Sequence, residues 1–160
     1  MSGRMRAALL GVALAVVAGW VLMGGWSALE AAPEKDSKAV AARKKLMQGN
    51  AKSMKALNAA VKAGEFPKAA LFASEVGEFA LGIAEAFEKK DMAGKTTALA
   101  NIWDEKAKFG QIASKLLNDS RAVIEAAREK DKAKVEAAVK VVGANCAACH
   151  KAYRVPPKKS

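Results

Sequence analysis

The sequence predicts an all-α protein, an antiparallel four-helix bundle, and three observations predict it. Proline occurs only at positions 33, 67, 156 and 157, so the long stretches between are free of helix breakers. Alanine, lysine, glutamate and leucine dominate, and these residues favour helix nearly everywhere. Apolar residues recur at helical spacing in four segments, and no segment shows the alternation of a strand.

The first segment runs from about Asp36 to Ala63 and stops at Gly64. Val40, Met47, Met54 and Val61 repeat at seven residues, with Leu57 alongside, and so form one stripe. The second starts at Pro67, a good first-turn residue, and continues to about Lys89. Its buried face is Ala69, Ala73, Val76, Ala80, Ile83 and Phe87. Residues 91–95, with Gly94, read as the loop that follows. The third carries Ile102, Phe109, Leu116 and Val123, flanked by Ile112, Ala113 and Ala127. Asp131 is placed to cap the fourth. That helix buries Val135, Ala138, Val139, Val142, Cys146, Cys149 and Tyr153. After Arg154 the Val-Pro-Pro-Lys-Lys-Ser tail is expected to fray. Heptad-like spacing and short connections place neighbouring helices antiparallel.

Residues 1–32 stand apart. Arg4 and Arg6 precede a stretch without charge from Ala7 to Leu29, the layout of a secretory signal peptide. Ala28, Ala31 and Ala32, just ahead of Pro33, offer cleavage sites. The alternative is an uncleaved anchor: the apolar run is long enough to span a bilayer, and Trp20 and Trp26 suit an interface. Either way residues 33–160 form one domain outside the inner membrane, in the periplasm.

Both cysteines and the only histidine of the chain fall in one block, Cys146-Ala147-Ala148-Cys149-His150. C-x-x-C-H is the attachment site of a c-type haem. The two thiols add across the porphyrin vinyl groups, and the adjacent imidazole reaches the iron as proximal ligand. A structural zinc site usually takes four Cys or His ligands, and only three exist. A disulfide between Cys146 and Cys149 would leave His150 unexplained and close too small a loop to stabilise much. One covalently attached haem c is therefore expected, with both cysteines on the apolar stripe of the last helix and the haem against the bundle interior.

No second histidine exists for the other face of the iron. Methionine is the common strong-field alternative, and Met47, Met54 and Met92 are the candidates. Met92 sits in a loop-like stretch. Met47 and Met54 both point inward from the first helix, where core packing would account for them equally well.

The residues from about 38 to 154 resemble the class II cytochromes c, the cytochrome c′ family. The likeness rests on C-x-x-C-H near the C-terminus followed by Tyr153 and Arg154. Within that family it is nearest the low-spin cytochrome c-556 branch, on Lys45-Leu46-Met47-Gln48-Gly49-Asn50 with Met54, on Lys62-Ala63-Gly64-Glu65, and on Ile102-Trp103 followed by Glu105, Ala107, Lys108 and Phe109. The resemblance implies a four-helix bundle with Met47 as the distal iron ligand. It also implies Arg43 near a haem propionate, Trp103 near the haem edge, and Tyr153 and Arg154 against the haem. Many gas-binding members leave the distal position open behind a bulky apolar side chain, and a methionine there need not bind iron.

Residues 1–32 carry Arg4, Arg6 and Glu30, a net +1, which leaves +10 of the chain's +11 to residues 33–160. The lysines are spread along every segment without aromatic interleaving or a binding motif, so nucleic acid is not an expected partner. A basic surface suits an acidic redox partner protein, or an anionic inner membrane if the N-terminal segment is uncleaved. A homodimer is compatible with the family resemblance. The expected function is periplasmic electron transfer through a six-coordinate haem held by His150 and Met47; the alternative is a five-coordinate cytochrome c′ that binds nitric oxide or other small gases. An enzyme such as a peroxidase would need distal acid–base groups, and none is evident.

Overall fold

A computed structural model describes residues 35–157. The expected leader or anchor, residues 1–32, lies outside that range. Five helices follow one another: α1 (Lys38–Ala63), α2 (Phe66–Ala86), the single turn α3 (Asn101–Asp104), α4 (Lys106–Arg128) and α5 (Lys132–Tyr153). The four long helices form the bundle. Among the described residues no helix is long and apolar enough to cross a membrane.

Helix ends follow local chemistry. The Ser37 hydroxyl accepts from the Val40 N–H at 3.1 Å and caps α1. Gly64 ends α1 in the left-handed region (φ 72°), where a side chain would cost energy, and its N–H closes back on the last turn. The Asp131 carboxylate accepts from the Lys134 N–H at 3.0 Å and caps α5 as expected.

The core is continuous and unites the expected stripes. Leu57, Val76, Val123, Val135 and Val142 are fully buried in it. At one end Phe87, Phe109 and Tyr153 stack in series, with ring centroids 5.1 and 5.3 Å apart. This tie joins the ends of α2 and α5 to the start of α4. Contacts run α1 to α2, α2 to α4 and α4 to α5, whereas α1 and α5 touch only sparsely. The bundle is therefore loosely closed along one seam.

Three local expectations are corrected. First, α2 ends at Ala86 rather than near Lys89. The Arg43 guanidinium, from α1, donates to the carbonyls of Ala86 (2.7 Å), Lys89 (2.7 Å) and Asp91 (2.5 Å) and so draws the chain out of the helix. Second, the expected third helix breaks at Glu105, whose ψ of 35° departs from helix, and yields α3 and α4. The Tyr153 hydroxyl donates to the Glu105 carboxylate at that break, at 2.8 Å. Third, the chain just past α5 is pinned rather than frayed. Leu99 N–H donates to Tyr153 C=O (2.9 Å) and Val155 N–H to Thr97 C=O (2.8 Å), forming an isolated antiparallel bridge between Ala98 and Arg154.

The long connection between α2 and α3 is held at its other end by the start of α1. Ser37 N–H donates to Ala93 C=O at 3.1 Å, and Lys95 N–H to the Asp36 carboxylate at 2.8 Å. Gly94 (φ 99°) passes so close that a Cβ there would lie 2.5 Å from Asp36 Cα.

Candidate haem site

Helical spacing puts Cys146, Cys149 and His150 on one side of α5, three and four residues apart. That side faces the α1–α5 seam, where two cavities of about 260 Å³ each meet. Met47, Ala51, Cys149 and His150 belong to the walls of both. Cys146 belongs to the first only, with Met54, Ile83, Ile112 and Leu116. The thiols are half-buried and His150 is exposed, so the site lies in an open seam rather than deep in the interior.

Electrostatics suit covalent attachment. Burial raises the Cys146 thiol above its ordinary value and pushes Cys149 up to about 11, with the neighbouring Cys146 adding to the latter. Both are thiols near neutral pH, with an S–H ready to add across a vinyl group. The apolar surroundings, and then Arg154, hold His150 below its ordinary value. A neutral imidazole keeps the lone pair that an iron ligand needs.

The second cavity has a polar rim. Arg43, Lys44, Lys95 and Arg154 line it with Thr96 and Thr97, and no carboxylate joins them. Haem fits this donor set: two thiols for the vinyls, a neutral imidazole for the iron, apolar walls for the porphyrin, and cations with hydroxyls for the propionates. Cys146 and Cys149 would hold the ring, His150 the iron, and Lys95 and Arg154 the propionate edge.

The remaining expected residues separate in the structure. Met47 stands in both cavity walls with His150, while Met54 reaches only the first. Met92 is exposed in the loop. Arg43 is 4% exposed and lies 4.7 Å from the Phe87 ring and 5.2 Å from that of Trp103. Three of its five donors are committed to backbone carbonyls, so it staples the chain at the rim of the second cavity. Trp103 is absent from both walls. Its Nε1–H donates to Phe87 C=O at 2.8 Å, which holds the indole behind Phe87, and Phe87 takes the wall position. Tyr153 lines the second cavity by its ring while its hydroxyl is turned to Glu105.

Asn50 and Asn145, both buried, were not foreseen and line the first cavity. Asn50 follows Met47 by three residues and precedes Met54 by four, so a polar residue interrupting the α1 stripe was the available signal. Lys44, Lys95, Thr96 and Thr97 also went unforeseen; only the fold brings the α2–α3 connection to α5.

Known proteins agree with this geometry. The profile of one family, described as Cytochrome C′, matches residues 38–154. A cytochrome c′ from Pararhodospirillum photometricum is 30% identical over 116 residues, covering 70% of this chain and 92% of that protein. A cytochrome c-556 from Agrobacterium tumefaciens (strain apple 185) is 37% identical over 93 residues, covering 57% of this chain and 70% of that protein. A solved nitrosyl complex of a cytochrome c prime variant from Alcaligenes xylosoxidans superposes with a TM-score of 0.66 at 26% identity, over 74% of this chain and 94% of that one. A seam built for a covalent porphyrin, on a bundle of this topology and with a match across all its helices, leads to one conclusion. The chain belongs to the cytochrome c′ family, four-helix-bundle proteins that carry a covalently bound haem c.

Proposed function

We propose that this is a periplasmic haem c protein that binds nitric oxide or another small gas at the iron position opposite His150. The first cavity carries the reading. Apart from Asn50, Asn145 and His150, its wall is made of Met, Ala, Ile, Leu, Gly and Cys, with no carboxylate. Such a wall admits a small neutral molecule and offers no acid–base pair for bond cleavage, which supports ligand binding over catalysis. The nitrosyl complex of a relative supports the same reading.

Haem c, once attached, supplies an iron that can bind a diatomic molecule or change oxidation state. The chain's residues do the rest. Cys146 and Cys149 would anchor the ring to a rigid helix, and His150, whose lowered pKa favours the neutral imidazole, would hold the iron. Met47 shares the walls of both cavities with His150. The aromatic series Phe87–Phe109–Tyr153 backs the second cavity.

This reverses the order expected from the sequence, where the His150–Met47 electron carrier came first. That carrier is the second reading. It is favoured by Met47 standing in both walls with His150, and by the likeness to a cytochrome c-556. Thioether ligation would raise the potential, and the +10 domain would dock an acidic partner with strong dependence on ionic strength. The periplasmic placement rests on the signal-like residues 1–32.

Spectra of the haem-loaded ferric protein and its Met47→Ala variant separate the two. High-spin iron unchanged by the substitution, with uptake of nitric oxide on reduction, is the result expected for gas binding. Low-spin iron with a sulfur-to-iron charge-transfer band, lost in the variant, would overturn it and establish the carrier.

A further inference from the structure

The first cavity holds one polar atom that nothing in the fold explains. Asn50 is 9% exposed, and its Oδ1 is buried without a hydrogen-bond partner. Its side chain forms part of the wall that includes Met47 and Met54, one turn from each on the same face of α1. Asn145, in the same wall, is anchored, donating through Nδ2 to Ile112 C=O at 3.3 Å. Asn101 Oδ1 is also unpartnered, but that residue lines neither cavity and its Nδ2 donates to Ala152 C=O at 3.1 Å. Asn50 has no such anchor.

A buried carbonyl oxygen left unpaired is a standing cost to the fold, and leucine, of the same branched shape, would remove it. We infer that Asn50 is the ligand-contacting, specificity-determining residue of the first cavity. It presents its amide to the small molecule bound there and retains diatomics in proportion to the negative charge on their outer atom. A diatomic offers Oδ1 nothing to accept, but half a turn about the last torsion exchanges Oδ1 for Nδ2–H, which then donates to the bound molecule's outer atom. In a wall otherwise nearly apolar, that single hydrogen bond works in a low dielectric and is stronger than it would be in water. The inference rests on the gas-binding reading and adds to it the residue that discriminates between ligands.

Carbon monoxide is the probe, added to the reduced, haem-loaded protein and to its Asn50→Leu and Asn50→Ala variants. Loss of the donor is expected to move the C–O stretch to higher wavenumber in both. Dissociation should become about three- to tenfold faster, the worth of one neutral hydrogen bond. A purely structural asparagine would leave the stretch where it is. Asn50→Leu is expected to melt no lower than the unsubstituted protein, because it loses an unpaired polar atom. An unchanged stretch in complexes that form normally would overturn the inference and leave gas binding standing. No carbon monoxide complex in the unsubstituted protein would sink the gas-binding reading and this inference with it.

Discussion

Replacing Arg43 with leucine tests whether this buried cation holds the fold or the cofactor. The guanidinium donates to three carbonyls at 2.5–2.7 Å and lies against two aromatic rings. Hydrogen bonds to a charged group contribute about 1.5–3 kcal/mol each when fully buried. These are partly buried and share one donor group, so about 1 kcal/mol each is a fairer figure. The stacked rings add about 0.5–1 kcal/mol. Burial depresses the Arg43 pKa, which shows that the cation gives up solvation, and leucine would recover part of that cost. The net loss comes to about 3 kcal/mol. For a domain of this size that corresponds to a Tm about 10 °C lower. Arg43→Lys keeps the charge but not the fork, and should fall between the two. Thermal melts of the haem-loaded proteins read the loss, and a redox titration reads the cofactor. A variant within about 1 kcal/mol of the unsubstituted protein, with a shifted haem potential, would refute the staple and restore Arg43 as a propionate contact.

Other expectations can be checked with the same melts. Burial first, and then the Glu105 contact, push the Tyr153 phenol from its ordinary 10.0 up to about 12. The folded state therefore favours the protonated phenol. Its contribution is complete below pH 10 and is lost as pH rises from 10 toward 12, so alkaline melts should drop across that window. Tyr153→Phe should flatten the drop while costing about 1 kcal/mol at neutral pH for the missing bond to Glu105. Gly94→Ala forces a side chain onto a φ of 99° and against the Asp36 backbone, and should destabilise by about 2 kcal/mol or more; an unchanged melt would mean that the α2–α3 connection yields freely. Asp131→Ala removes the α5 cap and should cost about 1 kcal/mol without altering the haem spectrum.

Much of the helical layout could be read directly. The stripes through Leu57, Val76, Val123 and Val142 come from a period that the backbone itself imposes, and the structure buries all four. Arg43 was harder. In sequence it is one of three adjacent basic residues, Arg43-Lys44-Lys45, and solvent exposure was the natural alternative. Only the return of α2 beside α1 brings the carbonyls of Ala86, Lys89 and Asp91 within its reach. Trp103 was equally hard to read: its indole N–H donates to Phe87 C=O, sixteen residues back, and Phe87 lines the second cavity.

By itself the sequence determined what depends on near neighbours along the chain. Spacings of three and four residues from Cys146 to Cys149 and His150 place two thiols and an imidazole on one side of whatever helix forms there, and covalent haem attachment needs nothing more distant. Tertiary structure alone decided what lines the cavities beside Cys149 and His150. The open α1–α5 seam, the cationic rim contributed by Lys95 and Arg154, and the unpaired Oδ1 of Asn50 in the wall it shares with Met47 all depend on segments far apart in sequence. Hydrophobic periodicity says which side of a helix is buried but not which partner covers it, because burial is non-directional and hydrogen bonds are not.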